Sequence, residues 1–356
     1  MHGNALLQRT DEPLDGGRRN LPAGLRVSRQ AARLLSISAS ILSTLSFSGL
    51  AAAQAFPDHP VKLIVTFTPG GAADVTARIF GEKLAELWKQ PVVVENRAGA
   101  GGSIGAEAVV RAPADGYTLL LATNTHIINQ VVYPNLTFDF TKDFVPLGLV
   151  TSSPMMLVTN PSAMPATTTR EFVDLLQANP GKYAIASCNV ASPHHFGLEM
   201  MKHATGVKAL HVPYRGCTPA VADVLAGHVP AAAVSAPAAI AFTKTGRLRA
   251  LALFSKDPSA SAAGVPTFRE AGVPALKDFS LDNYYGFMAP PRTPPAIAAK
   301  LEADIRQVAV MPDVTKRLNE AGLDMLVMPS GPMMQLIRSD FDKYRVAAKE
   351  ANIQAE

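Results

Sequence analysis

Seven residues, Thr68-Pro69-Gly70-Gly71-Ala72-Ala73-Asp74, separate a β-type run (Val61, Leu63, Val65, Phe67) from an amphipathic helical stretch. Proline removes a backbone donor and fixes φ, while two adjacent glycines let the main chain turn sharply and approach a bound group without a Cβ in the way. The helix behind them opens with N–H groups that have no intrahelical acceptor. Their partial positive charge suits a carboxylate or a phosphate. The spacing therefore predicts an anion-binding cleft at the carboxyl end of a strand, where open α/β sheets keep their ligands.

Three further polar concentrations follow strand-like runs. Thr123-Asn124-Thr125 comes directly after Tyr117–Ala122, positioned either to hydrogen-bond a ligand or to make an ordinary turn. Ser187 to His195 reads Ser-Cys-Asn-Val-Ala-Ser-Pro-His-His, in which Ser192 caps a helix with Pro193 at its first position and again leaves N–H groups open. In His211-Val212-Pro213-Tyr214-Arg215-Gly216-Cys217, Tyr214 is placed to cover a ligand and Arg215 to form a fork with a carboxylate, unless Arg215 is simply solvated.

Other chemistries find less support. Adjacent His194 and His195 point about 100° apart on a helix, whereas zinc wants i, i+4 spacing, and His203 and His211 complete no recognisable set. No metal is expected, and one histidine orienting the neighbouring loop is the better reading. Gly99-Ala100-Gly101-Gly102-Ser103-Ile104-Gly105 has Ile104 where a dinucleotide fingerprint needs its third glycine, so it reads as a helix start packed closely on the sheet. There is no G-x-S-x-G and no H-E-x-x-H. The one catalytic alternative is a hydrolase-like enzyme using Ser187 or Cys188 with His195. Cys188 and Cys217 either pair as a disulfide or sit as two small buried thiols, since spacing alone leaves both open.

The elements that position these residues alternate strand and helix, which predicts an α/β fold with a mainly parallel sheet covered by helices. Strands are expected at Val61–Phe67, Val92–Glu95, Tyr117–Ala122, Met155–Thr159, Tyr183–Ser187, Lys208–Val212, Ala231–Ser235 and Leu248–Phe254. Helical stretches run from Asp74 to Lys89, from Arg170 to Ala178 and from Ile297 to Val308, with Asn179-Pro180-Gly181 as a stop. The chain is expected to cross between two lobes near Thr159 and again near Leu281.

Residues 1–55 read as an export leader. Arg26, Arg29 and Arg33 precede the apolar run Leu34–Leu50, and Ala53-Gln54-Ala55 supplies a small-x-small cleavage pattern before Phe56. Of 33 basic and 29 acidic residues, six basic (Arg9, Arg18, Arg19, Arg26, Arg29, Arg33) and three acidic (Asp11, Glu12, Asp15) fall in that leader, leaving 27 against 26. That near-neutral balance argues against a nucleic-acid surface, which needs a basic stripe.

Taken together, the chain resembles the substrate-receptor family of tripartite tricarboxylate transporters, the Bug-type periplasmic solute-binding proteins. The residues that carry the resemblance are Pro69-Gly70-Gly71 with Asp74 and Ala77-Arg78, Val92-Val93-Val94-Glu95-Asn96-Arg97-Ala98-Gly99-Ala100-Gly101-Gly102, Asp115-Gly116-Tyr117-Thr118-Leu119-Leu120, His211 to Gly216, Leu248-Arg249-Ala250-Leu251-Ala252, and Ala289-Pro290-Pro291-Arg292-Thr293-Pro294.

The resemblance implies a two-lobed type II periplasmic binding protein fold with a hinge and an interlobe cleft, lobe I being residues 56–158 and 284–356 and lobe II residues 159–283. It implies a monomeric, non-enzymatic receptor without cofactor that captures a small organic carboxylate and delivers it to membrane transporter subunits; a ligand-sensing subunit is the other non-enzymatic reading. Lobe I would contribute Phe67, Gly70, Gly71, Ala72, Asp74, Thr123 and Asn124, with Asp74 accepting hydrogen bonds from backbone or water. Lobe II would contribute Ser187, Asn189, Ser192, His195, Tyr214, Arg215 and Gly216. Two departures stand out. Ser187-Cys188-Asn189-Val190-Ala191-Ser192 replaces the family's Ser-x-Gly-x-Gly-Ser, where Ala191 tolerates a left-handed φ less well than Asn189. Thr66 and Thr68 stand where prolines are commoner.

Overall fold

Apolar strands alternating with amphipathic helices build two sheets in the computed structural model, which describes residues 56–133, 135–351 and 353. The first sheet holds β1 (Val61–Val65), β2 (Val92–Asn96), β3 (Thr118–Thr123), β4 (Val145–Ser153), β10 (Asn283–Ala289) and β11 (Asp324–Met328), in the order β11-β4-β10-β3-β1-β2. The second holds β5 (Met155–Thr159), β6 (Ala184–Ser187), β7 (Leu210–Pro213), β8 (Ala231–Ser235) and β9 (Arg249–Leu253), in the order β7-β6-β8-β5-β9. The expected leader lies outside the described residues.

Helices connect the strands: α1 (Ala72–Trp88), α2 (Ser103–Val110), α3 (Asn124–Val132), α4 (Thr169–Ala178), α5 (Pro193–Thr205), α6 (Cys217–Ala226) and α7 (Ala236–Lys244), then α8 (Pro295–Ala309), α9 (Pro312–Glu320) and α10 (Ser330–Glu350). One face of the first sheet packs Leu63, Leu119 and Phe287 against Phe80 and Leu84 of α1 and Leu301 of α8, all fully buried. Each such side chain removed from water contributes about 1.5–3 kcal/mol. Trp88 at the end of α1 donates to Asp304 Oδ2 of α8 at 2.6 Å, which ties the two helices together, and α1 stops at Lys89, which takes a left-handed φ of +56°. A second cluster joins Ile127 and Ile128 of α3 to Phe196 of α5 and Tyr344 of α10, so the two sheets share part of one core. Among the described residues no helix is long and apolar enough to cross a membrane.

The sheets differ from the expected mainly parallel arrangement. β1 pairs in parallel with β2 and β3, and β6 with β7 and β8, but β10 runs antiparallel to β3 and β4, β11 to β4, and β5 to β8 and β9. Strands that enter a sheet from the other sheet carry no crossover helix to impose a parallel direction. Three strands of the first sheet, β4, β10 and β11, are not legible as strands in the sequence. β4 contains Pro146 and Gly148, which read as turn residues, and its pairing with β10 and with β11 is interrupted by register shifts. The chain passes from the first sheet to the second at Pro154, so β5 pairs wholly in the second. α4 ends at Ala178, and Gly181 takes φ +76°, as the Asn179-Pro180-Gly181 stop requires.

Candidate functional site

The parallel strands of both sheets end in turns that start helices, and the candidate residues gather at those turns. After β1 the segment Thr68 to Gly71 is exposed, and Gly70 adopts φ +86°. Gly71 stands at the N-cap of α1 with no side chain to cap it. The amides of Ala72, Ala73 and Asp74 accordingly have no protein acceptor among the described residues, and the first closing bond of the helix is Val75 N–H to Gly71 O at 3.0 Å.

Asp74 braces this turn from beneath. Its Oδ2 accepts from the Gly70 amide at 3.0 Å and from Arg78 Nε at 2.8 Å, and its Oδ1 accepts from Asn96 Nδ2 at 3.0 Å. Asn96 also donates to Phe67 O at 3.1 Å, which ties the end of β1 to the end of β2. Burial pushes the Asp74 carboxyl up, but the hydrogen bonds from Arg78, Gly70 and Asn96 outweigh it and hold the group below the ordinary carboxylate range. The Gly70 N–H is thus occupied by Asp74, and the open donors begin beyond it.

The turn after β3 is tighter. Thr123 caps α3: its Oγ1 accepts from Thr125 N–H at 3.0 Å, and its own N–H donates to His126 Nδ1 at 3.1 Å. The same Nδ1 also lies 3.0 Å from Thr123 O, so the ring is held against both backbone groups of Thr123. Burial lowers the His126 pKa to about 4, so the ring is neutral, and it stacks on Phe140 with centroids 5.0 Å apart. Phe67, half-buried, presents its ring edge-on to His126. Asn124 is fully buried, and its Nδ2 donates to Asp282 O at 2.7 Å and Tyr344 Oη at 2.9 Å, which turns it toward α10. The nearby glycine turn behaves as a close-packed helix start. A Cβ on Gly105 would lie 2.9 Å from both Arg97 O and Thr66 Cγ2.

In the second sheet, β6 ends at Ser187, whose Oγ lies 2.7 Å from His211 Nε2 of neighbouring β7. His211, and not His195, is therefore the partner of Ser187. The His195 ring stacks on His211 at 4.1 Å. Its Nδ1 accepts from Ala191 N–H at 3.2 Å, which places the proton on Nε2 and denies a metal that lone pair, even though His195, Glu199 and His211 bring ligand atoms within 4.8 Å of one another. Ser192 caps α5, accepting from His195 N–H at 3.2 Å and donating to Asn189 O at 2.9 Å. Asn189 takes φ +135° and Ala191 φ +53°, so both keep positive φ where the resembled family has glycine.

Cys188 and Cys217 form a disulfide that staples this turn to the start of α6. Tyr214 N–H donates to Ser187 O at 3.0 Å, while its hydroxyl donates to Asp223 Oδ2 at 2.6 Å. Burial and the Asp223 carboxylate push the Tyr214 pKa up to about 12. Gly216, at φ +112°, is the uncapped N-cap of α6, and the amides of Cys217 and Thr218 have no protein acceptor among the described residues. Arg215 is exposed, with no hydrogen bond or ion pair among the described residues.

The structure thus shows open backbone donors at Ala72 to Asp74 and at Cys217 and Thr218, while Asn124, Ser187, Ser192 and Tyr214 direct polar side-chain atoms to protein partners. Sequence reasoning passed over Arg78 and Asn96 as braces, although Arg78 stands four residues from Asp74 on one helix face, a spacing that announces the pair. His211 beside Ser187 depends on the β6–β7 register and carried no local signal. A cavity of about 680 Å³ opens where the chain crosses between the sheets, lined among others by Ser152, Asp257, Asp324 and Lys343 and by Asp282 and Tyr344, the partners of Asn124.

The model of the tripartite tricarboxylate transporter family receptor matches residues 76–353. Protein BugT of Bordetella pertussis is 32% identical over 320 residues, covering 89% of this chain and 97% of the relative. A solved R. palustris protein with adipate is 29% identical with a TM-score of 0.78, covering 84% of this chain and 99% of that one. MatC from Rhodopseudomonas palustris, solved with bound malate, is 27% identical with a TM-score of 0.73, covering 82% and 99%.

Proposed function

The chain belongs to the tripartite tricarboxylate transporter receptor family, and from that premise we propose that it captures a small organic carboxylate and delivers it to membrane transporter subunits of the tripartite type. It is a periplasmic solute-binding receptor with the two-lobed α/β fold of that class, and not an enzyme. The observation that carries the carboxylate assignment is the exposed turn at Thr68 to Gly71, behind which the first amides of α1 have no protein acceptor. Adipate and malate in the related structures fit the same chemistry.

In this reading one carboxylate oxygen faces the amides of Gly71, Ala72 and Ala73, and Asp74 holds the turn open without touching the anion directly. Two like charges in contact would repel, so any approach of Asp74 to the ligand runs through water. Phe67 and Thr123 wall this end, and Asn124 acts through the backbone. Asn189, Arg215 and Gly216 close over the ligand's far end, with Arg215 available as a charge partner and Ser187, Ser192, His195 and Tyr214 shaping the loops that carry them. Lobe I comprises residues 56–158 and 284–356 and lobe II residues 159–283 in this reading, a division supported by the change from one sheet to the other at Pro154 and back before Asn283. Residues 1–55 serve as the export leader, and the receptor works as a monomer.

A thermal-shift panel of mono-, di- and tricarboxylates tests the proposal, because a ligand that prefers the native state raises apparent stability by mass action. At least one small carboxylate should raise Tm in a concentration-dependent way. A flat response across the panel, together with native mass spectrometry showing a retained non-acidic metabolite, overturns it.

A further inference from the structure

His194 is left without a role by carboxylate capture, yet it stands against the disulfide. Its Nε2 is 3.8 Å from Cys217 Sγ, and one ring nitrogen and both sulfurs all lie within 4.8 Å of one another. The side chain is 6% exposed, and its Nδ1 has no partner among the described residues. Cys188 is buried, whereas Cys217 is half-buried at the start of α6, behind the uncapped Gly216. Ser235 N–H is directed at Cys217 Sγ from 3.4 Å.

A disulfide sulfur is a poor metal donor and a thiolate a strong one. Reduction by a phosphine breaks the S–S bond with one water: both electrons enter the sulfur pair, the water's oxygen leaves on the phosphine oxide, and its two protons end on the two thiols. Two thiols then flank a buried imidazole. Release of their protons on metal binding yields an S₂N donor set, the combination that soft and borderline ions prefer over oxygen ligands. We propose that the reduced chain holds Zn²⁺, or an ion of similar thiophilicity, on Cys188, Cys217 and His194, with the fourth position left to water.

The distances suit this. Tetrahedral zinc with bonds of about 2.3 Å to sulfur and about 2.0 Å to nitrogen sets neighbouring S and N about 3.5 Å apart. Cys217 Sγ and His194 Nε2 already stand 3.8 Å apart. Only the two sulfurs must separate, and side-chain rotation supplies that movement. The open amides at the start of α6 and the Ser235 N–H favour the Cys217 thiolate, which lets a metal compete with protons near neutral pH. While the disulfide is intact the site is closed, so metal uptake is tied to the redox state of the lobe.

The test uses the whole chain, reduced with a phosphine, freed of it and titrated anaerobically with Co²⁺. The proposal expects one Co²⁺ per reduced chain with thiolate-to-cobalt charge-transfer absorption, displaced by Zn²⁺, and no such absorption from the oxidised chain. Cys217→Ser should abolish the absorption, and His194→Gln should keep it but weaken affinity by about tenfold or more. Circular dichroism checks that each species is folded. Absence of the band in the reduced protein, folded or not, overturns the proposal. So does a folded His194→Gln variant whose Co²⁺ affinity is unchanged.

Discussion

The turn after β1 and the turn after β6 occupy equivalent places in their sheets, each leading from a strand end into a helix, yet they are held by different means. At the first, a glycine N-cap leaves the helix amides open, and a side-chain network of Asp74, Arg78 and Asn96 holds the loop from below. At the second, Ser192 caps the helix, His195 fixes the Ala191 amide, and a disulfide clamps the loop to α6. The first turn presents backbone and hides its charge. In the proposed reading its grip is therefore generic for an anion, and selectivity among anions comes from the second, where the positive-φ residues Asn189 and Ala191 stand in place of the resembled family's glycines.

Breaking the clamp gives the largest expected effect. A Cys188→Ser, Cys217→Ser double variant removes a cross-link spanning 29 residues and should lose about 3–4 kcal/mol of stability by denaturant titration. Its carboxylate affinity should fall less than that of a variant in the first turn. Equal losses in both would mean that the second turn contributes more than selectivity.

Acid acts on the turn after β3, beside the first, through His126. Its folded-state pKa, about 4, lies below the value near 6.5 of an unfolded histidine. The unfolded chain takes the proton first, so this contribution is fully present above pH 6.5 and is lost as pH falls toward 4, at a slope approaching about 1.4 kcal/mol per pH unit. His126→Gln retains an acceptor for the Thr123 amide, as a capping box requires, and should flatten that part of the stability–pH curve. An unaltered slope would assign the acid sensitivity elsewhere.

Asp74→Ala sharpens the comparison in binding. Hydrogen bonds to a buried carboxylate contribute about 1.5–3 kcal/mol each, so losing the brace should weaken carboxylate binding by about 10- to 100-fold, measured by calorimetry, with the fold retained. The smallest effects test the backbone of the second turn. Ala191→Gly relieves a left-handed alanine and should add about 0.5–1 kcal/mol, whereas Ser192→Ala removes a cap and should cost about 1 kcal/mol. A destabilised Ala191→Gly variant would mean that the methyl group's packing outweighs the conformational penalty.

What was legible in the sequence follows the same division. β1 and the uncapped start of α1 rest on local rules, alternation and the Pro-Gly-Gly signature, and both are present, with α1 starting two residues earlier than its periodicity suggested. β10 and β11 depend on the chain returning to a distant sheet, and nothing in Asn283–Ala289 or Asp324–Met328 announces which strand they will join. Within the site, the Ser192 cap and Pro193 could be read from adjacent letters. The Tyr214–Asp223 contact, the Ser187–His211 pair and the burial of Asn124 against Tyr344 could not, because each joins separate elements. The order of the elements already pointed to two lobes, and resemblance to a family supplied the type II binding-protein form of that frame.

In the proposed receptor a carboxylate meets the open amides at the start of α1. ¹⁵N-labelled protein, titrated with whichever carboxylate gives the largest thermal shift, tests this by following the backbone amide resonances. The amides of Gly71, Ala72 and Ala73 should show the largest downfield proton shifts and saturate with the ligand, and Asp74→Ala should diminish them in step with affinity. Saturable binding that leaves those three resonances in place while others move would contradict it.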